Sequence, residues 1–222
     1  MQKFLRDNGL CIVSFILFFS TLILGQSLAG HHEHNQDRLD HGKGTVSYTQ
    51  YLKSSHFWEA TTENWESEFL QMFIYVVLTA FLYQRGSAES KDPDKPNDVD
   101  RDPRKSKDNP DAPWPVRQGG FLLKLYENSL SLAFLLLFLL SFWLHAASGA
   151  REYSEEELLH GGEPVTTLEY MQESRFWFES LQNWQSEFLS IWAMVYFSIY
   201  LRQRSSPESK PVDAPHSATG TG

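Results

Sequence analysis

The sequence predicts an all-α integral membrane protein in which four transmembrane helices form two parallel tandem repeats of a helix pair. An amphipathic outer helix is expected before the second span and before the fourth. Two observations predict this fold. Segments 10–29 and 130–147 contain no Asp, Glu, Lys or Arg, and about 20 apolar residues suffice to cross a bilayer. In addition, residues 30–91 align without a gap with residues 149–210, with 24 identities in 62 positions, and such repetition governs the architecture.

The first predicted span, at about residues 9–29, belongs to repeat 1, residues 1–91. Lys3 and Arg6 precede this span and small residues end it, a pattern that is also typical of a cleaved secretory signal. The equivalent segment of the second repeat lies in mid-chain and cannot be a cleaved signal, so we interpret the first as a retained helix. Ahead of Gly30 the alignment offset changes from 119 to 120, which predicts a one-residue length difference there.

The second predicted span covers about residues 65–84. The third and fourth, at about 121–147 and 184–203, belong to repeat 2, residues 119–210. Ahead of the second and fourth spans, aromatic residues recur at intervals of seven. Because amphipathic aromatic rings are enriched at membrane–water interfaces, we expect an interfacial aromatic belt, and a ligand groove is the alternative. The belt comprises Tyr51, Trp58, Trp65, Tyr170, Trp177 and Trp184.

Two segments are predicted to be disordered, a cytosolic linker at 92–118 and a tail at 211–222. The linker is rich in proline and charge, and both segments are poor in apolar residues. Nine of the 19 Lys and Arg residues lie between positions 85 and 124, which places the linker in the cytosol because basic residues concentrate on that side. With two spans in each repeat, both termini are also cytosolic, and the repeats share one orientation.

Glu68 and Glu187 are the strongest candidates for a functional role, because an ionisable side chain within a membrane span is costly. Together with Asn64 and Asn183 they form the candidate polar site. Asn64 and Glu68 of the first repeat are equivalent to Asn183 and Glu187 of the second. Three interpretations remain open: interhelix hydrogen bonding or helix capping, ion or proton chemistry, and binding of a ligand or partner.

Catalytic signatures are missing from the sequence. It contains no Gly-rich phosphate loop, no Gly-x-Ser-x-Gly elbow and no His-Glu-x-x-His motif. In the histidine-rich segment 31–34 only the glutamate recurs in the second repeat, which argues against a metal site, and Cys11 stands alone. We therefore expect no catalytic residue, no metal and no cofactor. A net charge of -9 argues against binding of nucleic acid.

Three motifs resemble those of an uncharacterised bacterial family of small membrane proteins: 4–10 (FLRDNGL), 64–72 (NWESEFLQM) and 84–91 (QRGSAESK). The resemblance covers nearly the whole chain apart from the linker and the tail. It implies a multi-pass, four-span protein of the bacterial cytoplasmic (inner) membrane with a domain of unknown function, and it supplies no activity.

The expected function is a non-enzymatic structural or interaction module. Its expected partners are the lipid bilayer and either a second copy of the chain or an unidentified membrane protein. The alternative function is an ion or proton permease unit that uses Glu68 and Glu187 as paired glutamates at the outer leaflet. These two hypotheses differ in whether the glutamates share a closed, hydrated pocket.

Overall fold

Residues 2–220 are described by a computed structural model, and this part of the chain is helical and contains no strand. Met1 and residues 221–222, the end of the predicted tail, lie outside the described residues. The chain divides into two compact units. Unit 1 combines Met1–Glu63 with Phe142–Phe176, and unit 2 combines Asn64–Ser141 with Trp177–Gly222.

The chain begins with one long, uninterrupted helical segment. Helix α1, Gln2–Thr21, continues into a π-helix, Leu22–Ala29, and then into helix α2, Gly30–Asp40. The backbone N–H of Gly30 donates to the carbonyl of Gly25, five residues earlier, which is the hydrogen bond of a π-turn. The predicted first span therefore lies inside a helix that extends well beyond it at both ends.

Two pairs of helices have matching bounds. Helix α3, Tyr48–Tyr51, precedes helix α4, Ser55–Phe81, and helix α8, Thr167–Tyr170, precedes helix α9, Ser174–Tyr200. Corresponding helices begin 119 positions apart and have equal lengths. Neither α4 nor α9 contains a glycine or proline, so the predicted aromatic segment and the predicted span form one continuous helix in each case.

Each short helix begins with a capping box. The Ser47 hydroxyl accepts from the backbone N–H of Gln50, whose side chain accepts from the Ser47 backbone. Thr166 and Glu169 make the same reciprocal pair at the start of α8. These side chains satisfy N–H groups that a helix start otherwise leaves without partners.

Five further helical segments follow α4, two of them of the 3₁₀ type: Asp98–Asp100, Pro103–Ser106, then α5 (Trp114–Gln118), α6 (Gly120–Glu127) and α7 (Ser129–Leu159). Gly119, between α5 and α6, has a φ of 70°, a left-handed conformation that glycine adopts without strain. The first three segments lie within or at the end of the predicted linker, and the disorder predicted for 92–118 and 211–222 stays a prediction.

One hydrophobic cluster of unit 1 lies where α7 meets α8 and the start of α9. It consists of Ala146, Ala150, Tyr170 and Phe176. Small residues on α7 let the tyrosine ring approach the helix closely, because they have little or no side chain. Unit 2 has a separate small cluster of Ala112, Val116 and Leu123 in and around α5 and α6.

Within residues 2–220, two helical segments are long and apolar enough to cross a membrane, Lys3–Asp40 and Ser129–Leu159. Their large apolar side chains lie mostly on the surface, with Leu10 exposed by 82% and Leu136 by 67%. An apolar surface of this extent would be unusual in water and suits contact with lipid. At 1.5 Å per residue both helices are longer than the roughly 30 Å of a bilayer's hydrocarbon core.

Candidate functional site

Helices α4 and α9 contact each other through polar side chains in unit 2. The Gln71 side-chain amide donates to the Ser190 hydroxyl at 2.7 Å and to the backbone carbonyl of Glu187 at 3.0 Å. Between apolar helix surfaces, such hydrogen bonds supply directional attraction where burial of apolar area supplies little. They join the two helices at the level of the predicted polar site.

The four predicted polar residues lie near this contact in different environments. Glu68 and Asn64 are exposed, whereas Glu187 and Asn183 are half-buried. The carboxylates of Glu68 and Glu187 are close enough to repel each other electrostatically. Glu187 is therefore influenced by the charge of Glu68, and Glu68 is the exposed one of the two.

Another glutamate of α4, two positions before Glu68, is buried in unit 2. Glu66 is fully buried, and its Oε1 accepts a hydrogen bond from the indole Nε1 of Trp184 at 3.0 Å. The Trp184 ring also lies edge-on to Phe138 of α7, with 6.3 Å between ring centroids. Trp184 thus links α9 to α4 by a hydrogen bond and to α7 by an aromatic contact, so it acts as a packing residue.

The six predicted belt residues divide into three matching pairs. Tyr51 and Tyr170 are buried, with 1% and 0% of their surfaces exposed. Trp58 and Trp177 are exposed, by 43% and 42%, and Trp65 and Trp184 are half-buried. The Tyr51 hydroxyl donates to the backbone carbonyl of Gln26 in the π-helix at 3.1 Å. Of the six, only Trp58 and Trp177 are exposed.

Unit 1 contains a histidine–glutamate cluster made of His34, Ser55, His56 and Glu152. The rings of His34 on α2 and His56 on α4 stack, with 4.7 Å between centroids. His56 Nδ1 lies 3.4 Å from Glu152 Oε1, and the Ser55 hydroxyl donates to Glu152 Oε2 at 2.7 Å. The cluster therefore connects α2, α4 and the charged end of α7.

The pKa values in the cluster shift in the directions that this geometry predicts. The hydrogen bond to Glu152 raises the pKa of His56, whereas burial, followed by repulsion from His56, lowers the pKa of His34. Burial opposes ionisation of Glu152, but hydrogen bonds from His56 and Ser55 outweigh it and lower the pKa of that carboxyl. The pair formed by His56 and Glu152 consequently favours the charged form of each partner.

The family model for a domain of unknown function, DUF6766, matches residues 1–221. The chain belongs to the DUF6766 family. The predicted membership of a family with a domain of unknown function is thereby confirmed. The comparisons with curated proteins and with solved structures returned no match.

In this DUF6766 chain, no group of three or more His, Cys, Asp or Glu within residues 2–220 is arranged to hold a metal ion. The histidine–glutamate cluster instead places an imidazole of raised pKa beside a carboxyl of lowered pKa, next to a second imidazole. It can join helices and respond to pH.

Sequence reasoning missed the buried groups of this DUF6766 chain for one reason. It favoured polar residues that recur in both repeats, and Glu66 and His56 do not recur, since Gln185 and Arg175 occupy the equivalent positions. A helical periodicity argument could have found Glu66, because it lies four residues before Leu70, which is also buried. No sequence signal indicated the contact between His56 and Glu152, which lie 96 positions apart.

Proposed function

We propose that this protein is a non-enzymatic interaction module with four membrane spans, supplied by α1, α4, α7 and α9. It would reside in the bacterial cytoplasmic membrane with both termini, the linker and the tail in the cytosol. The two apolar helices and their exposed side chains support membrane insertion. Helices α4 and α9, with 27 residues each, reach about 40 Å at 1.5 Å per residue, which is long enough to cross.

Parallel duplication of the helix pair is part of the proposal. The matching bounds of α3, α4, α8 and α9 support it, as do the two capping boxes. The π-helix Leu22–Ala29 supports it as well, because a π-turn accommodates one residue more than an α-turn. That extra residue lies where the alignment offset between the repeats changes by one.

One observation carries the proposed function: the polar groups inside the helices bind to one another. Gln71 binds Ser190, and Glu66 binds Trp184. Groups that bind neighbouring helices in this way hold a bundle together, whereas a substrate site needs polar groups directed into a cavity. We therefore assign these residues to the integrity of a scaffold whose exposed surfaces make the interactions.

The membrane arrangement is tested by cysteine labelling in a Cys11→Ser background. Single cysteines replace Thr45 and Glu163 in the two proposed outer loops, and Ser106 and Ser217 in the proposed cytosolic segments. A membrane-impermeant maleimide should label the first two in cells with a permeabilised outer membrane, and the last two only after lysis. Labelling of Thr45→Cys and Glu163→Cys from opposite sides would rule out parallel repeats.

The interaction role is tested by photocross-linking in native membranes. A photoreactive residue at Trp58 or at Trp177 should form a discrete protein adduct, with a second copy of the chain or with another membrane protein. The buried positions Tyr51 and Tyr170 provide matched controls, which should form none. Adducts with lipid alone at both tryptophan positions would contradict the proposal.

A permease unit is the second candidate function, because Glu68 and Glu187 lie close enough to repel each other. Two neighbouring carboxylates can bind a cation or exchange a proton. The purified protein in liposomes, with an imposed pH gradient or membrane potential, gives the test. This function requires flux above that of empty liposomes and its loss in Glu68→Gln and Glu187→Gln, whereas the interaction module predicts no flux above that background.

A further inference from the structure

The two copies of the Gln-Arg motif, 84–91 and 203–210, fold into the same loop at the ends of α4 and α9. In the first loop the Ser90 hydroxyl accepts from the backbone N–H of Gln84 at 2.8 Å. In the second loop Ser209 accepts from Gln203 at 2.9 Å. The recurrence of the motif thus has a structural cause, since its serines close the loop.

The final lysine of each loop caps the preceding helix. Lys91 Nζ donates to the carbonyl of Ala80 at 3.0 Å, and Lys210 Nζ donates to that of Ile199 at 3.3 Å. Cations are favoured at helix C-termini, where carbonyl groups lack partners. Lys210 is buried and also donates to the carbonyl of Gly86, so its charge is fixed inside the protein.

The arginines of the two loops differ in their partners. Arg85 Nη1 lies 2.5 Å from Asp94 Oδ2, and Lys91 lies 2.7 Å from Asp100, so the acidic linker neutralises the first loop. Arg204 is exposed, and within residues 2–220 its guanidinium makes no ion pair and no hydrogen bond. Segment 84–102 contains four basic and six acidic residues, whereas segment 202–220 contains three basic and two acidic residues.

Arg204 lies at an open cleft of about 590 Å³ formed by its own loop. The Ser206 hydroxyl oxygen in this cleft accepts from the backbone of Glu208, which leaves its hydrogen available to a ligand. Glu208 is the single carboxylate of the loop. Apolar side chains adjoin the polar part, since Val212 of the cleft is 61% exposed and Leu201, just before the loop, is 62% exposed.

From this combination we infer that the cleft at Arg204 binds the phosphate of an anionic phospholipid. The guanidinium pairs with the phosphate oxygens, Ser206 donates to one of them, and the acyl chains lie along Leu201 and Val212. The apolar neighbours favour a lipid over free phosphate, because a soluble anion would gain nothing from them. The inference rests on the proposed cytosolic position of this loop, where juxtamembrane basic residues meet anionic lipid.

Native mass spectrometry of the full-length protein in detergent tests the inference. Phosphatidylglycerol is the probe, and phosphatidylcholine and inorganic phosphate are the comparison ligands. An arginine near anionic lipid contributes about 1 kcal/mol, which corresponds to a roughly fivefold change in affinity. Arg204→Gln should therefore lower the retention of phosphatidylglycerol about fivefold, and Arg204→Lys should restore much of it.

Arg85→Gln is the matched control and should leave retention within about twofold, because Asp94 already neutralises that arginine. Equal losses in both variants, or no loss in Arg204→Gln, would overturn the inference. If inorganic phosphate competes with phosphatidylglycerol for the cleft, the inference of a lipid ligand is wrong and the site binds a soluble anion. Binding in detergent depends neither on the cross-linking result nor on flux, so failure here is distinct from failure of the proposed function.

Discussion

At the scale of single residues, Gly149 on α7 has no room for a side chain. A Cβ atom at this position would lie 2.5 Å from Cε1 of Tyr170, whose ring is fully buried and cannot turn away. Gly149→Ala should therefore destabilise the protein by about 1–3 kcal/mol, the usual cost of overpacking a core. Thermal unfolding in detergent measures the effect.

Gly9→Ala is the control for this substitution, because a Cβ atom there would meet nothing within 4 Å. Alanine favours helix by about 1 kcal/mol over glycine, so this variant should be at least as stable as the wild type. Similar melting temperatures for Gly149→Ala and Gly9→Ala would contradict the packing of Tyr170 on α7.

The contact between His56 and Glu152 should make stability depend on pH. His56 has a raised pKa in the folded protein. Its contribution to the free energy of unfolding is therefore present below pH 6.5, the pKa of histidine in the unfolded chain, and is lost as the pH rises through the folded-state pKa. Glu152 has a lowered pKa in the folded protein. Its contribution to the free energy of unfolding is therefore present above pH 4.5, the pKa of glutamate in the unfolded chain, and is lost as the pH falls through the folded-state pKa. Between pH 4.5 and pH 6.5 both contributions are present, and in this range the pair should stabilise the protein by about 0.5–1 kcal/mol.

The measurement is a double-mutant cycle of His56→Gln and Glu152→Gln, followed by thermal unfolding from pH 4 to pH 9. The coupling between the two positions should be largest near pH 5–6 and should disappear toward pH 9. The exposed residue His32, changed to Gln, provides a control without such coupling. A coupling that is constant over the whole range would show that ionisation of the pair does not contribute.

Single residues were the least predictable part of the molecule. The site predicted at Glu68 and Glu187 stays a prediction, and the exposure of Glu68 and the burial of Glu66 depend on how α4 is rotated against its neighbours. That rotation is set by the hydrogen bonds that Glu66 and Gln71 of α4 make with Trp184 and Ser190 of α9, and a single sequence does not reveal it. The burial of Tyr51 arises in the same way, from contact with a π-helix carbonyl.

At the scale of helices, the sequence predicted apolar segments better than helix ends. The third predicted span, about 121–147, is divided between α6 and α7, and α7 continues to Leu159. Hydrophobicity marks where lipid contact is favourable, but a helix ends where the backbone loses its hydrogen bonds. Charged segments such as 151–157 remain helical because nothing in them breaks a helix.

The contact between α4 and α9 allows a direct comparison of two neighbouring glutamates. Glu66→Ala should destabilise the protein by about 1–3 kcal/mol, because it removes the fully buried acceptor of the half-buried Trp184 indole. Glu68→Ala should change stability by no more than about 0.5 kcal/mol, because Glu68 is exposed. Unfolding in detergent at neutral pH measures both variants.

Glu66→Gln separates the hydrogen bond from the packing, because glutamine keeps a carbonyl oxygen that can accept from Trp184. It should recover most of the stability that Glu66→Ala loses. If Glu68→Ala were the more destabilising of the two alanine variants, the assignment of Glu66 as the buried acceptor would have to be abandoned.

At the scale of the whole molecule, the two halves of the sequence interlock. Contacts between residues 1–91 and 119–210 occur within unit 1, where His56 meets Glu152, and within unit 2, where Gln71 meets Ser190. The linker between the halves makes local contacts, such as that of Asp94 with Arg85. Association of the halves should therefore depend on the helices and not on the covalent connection.

A split chain tests this conclusion. Segments 1–102 and 103–222, expressed together with a tag on one of them, should copurify in mild detergent. Loss of the Gln71 hydrogen bonds adds to loss of the Trp184 acceptor, so changing both contacts should weaken the association more than changing one. The combined variant Glu66→Ala with Gln71→Leu should release a clearly larger fraction of the untagged segment than Glu68→Ala. Failure of the unmutated halves to copurify, with both present in the membrane, would mean that the linker is required to hold the bundle together.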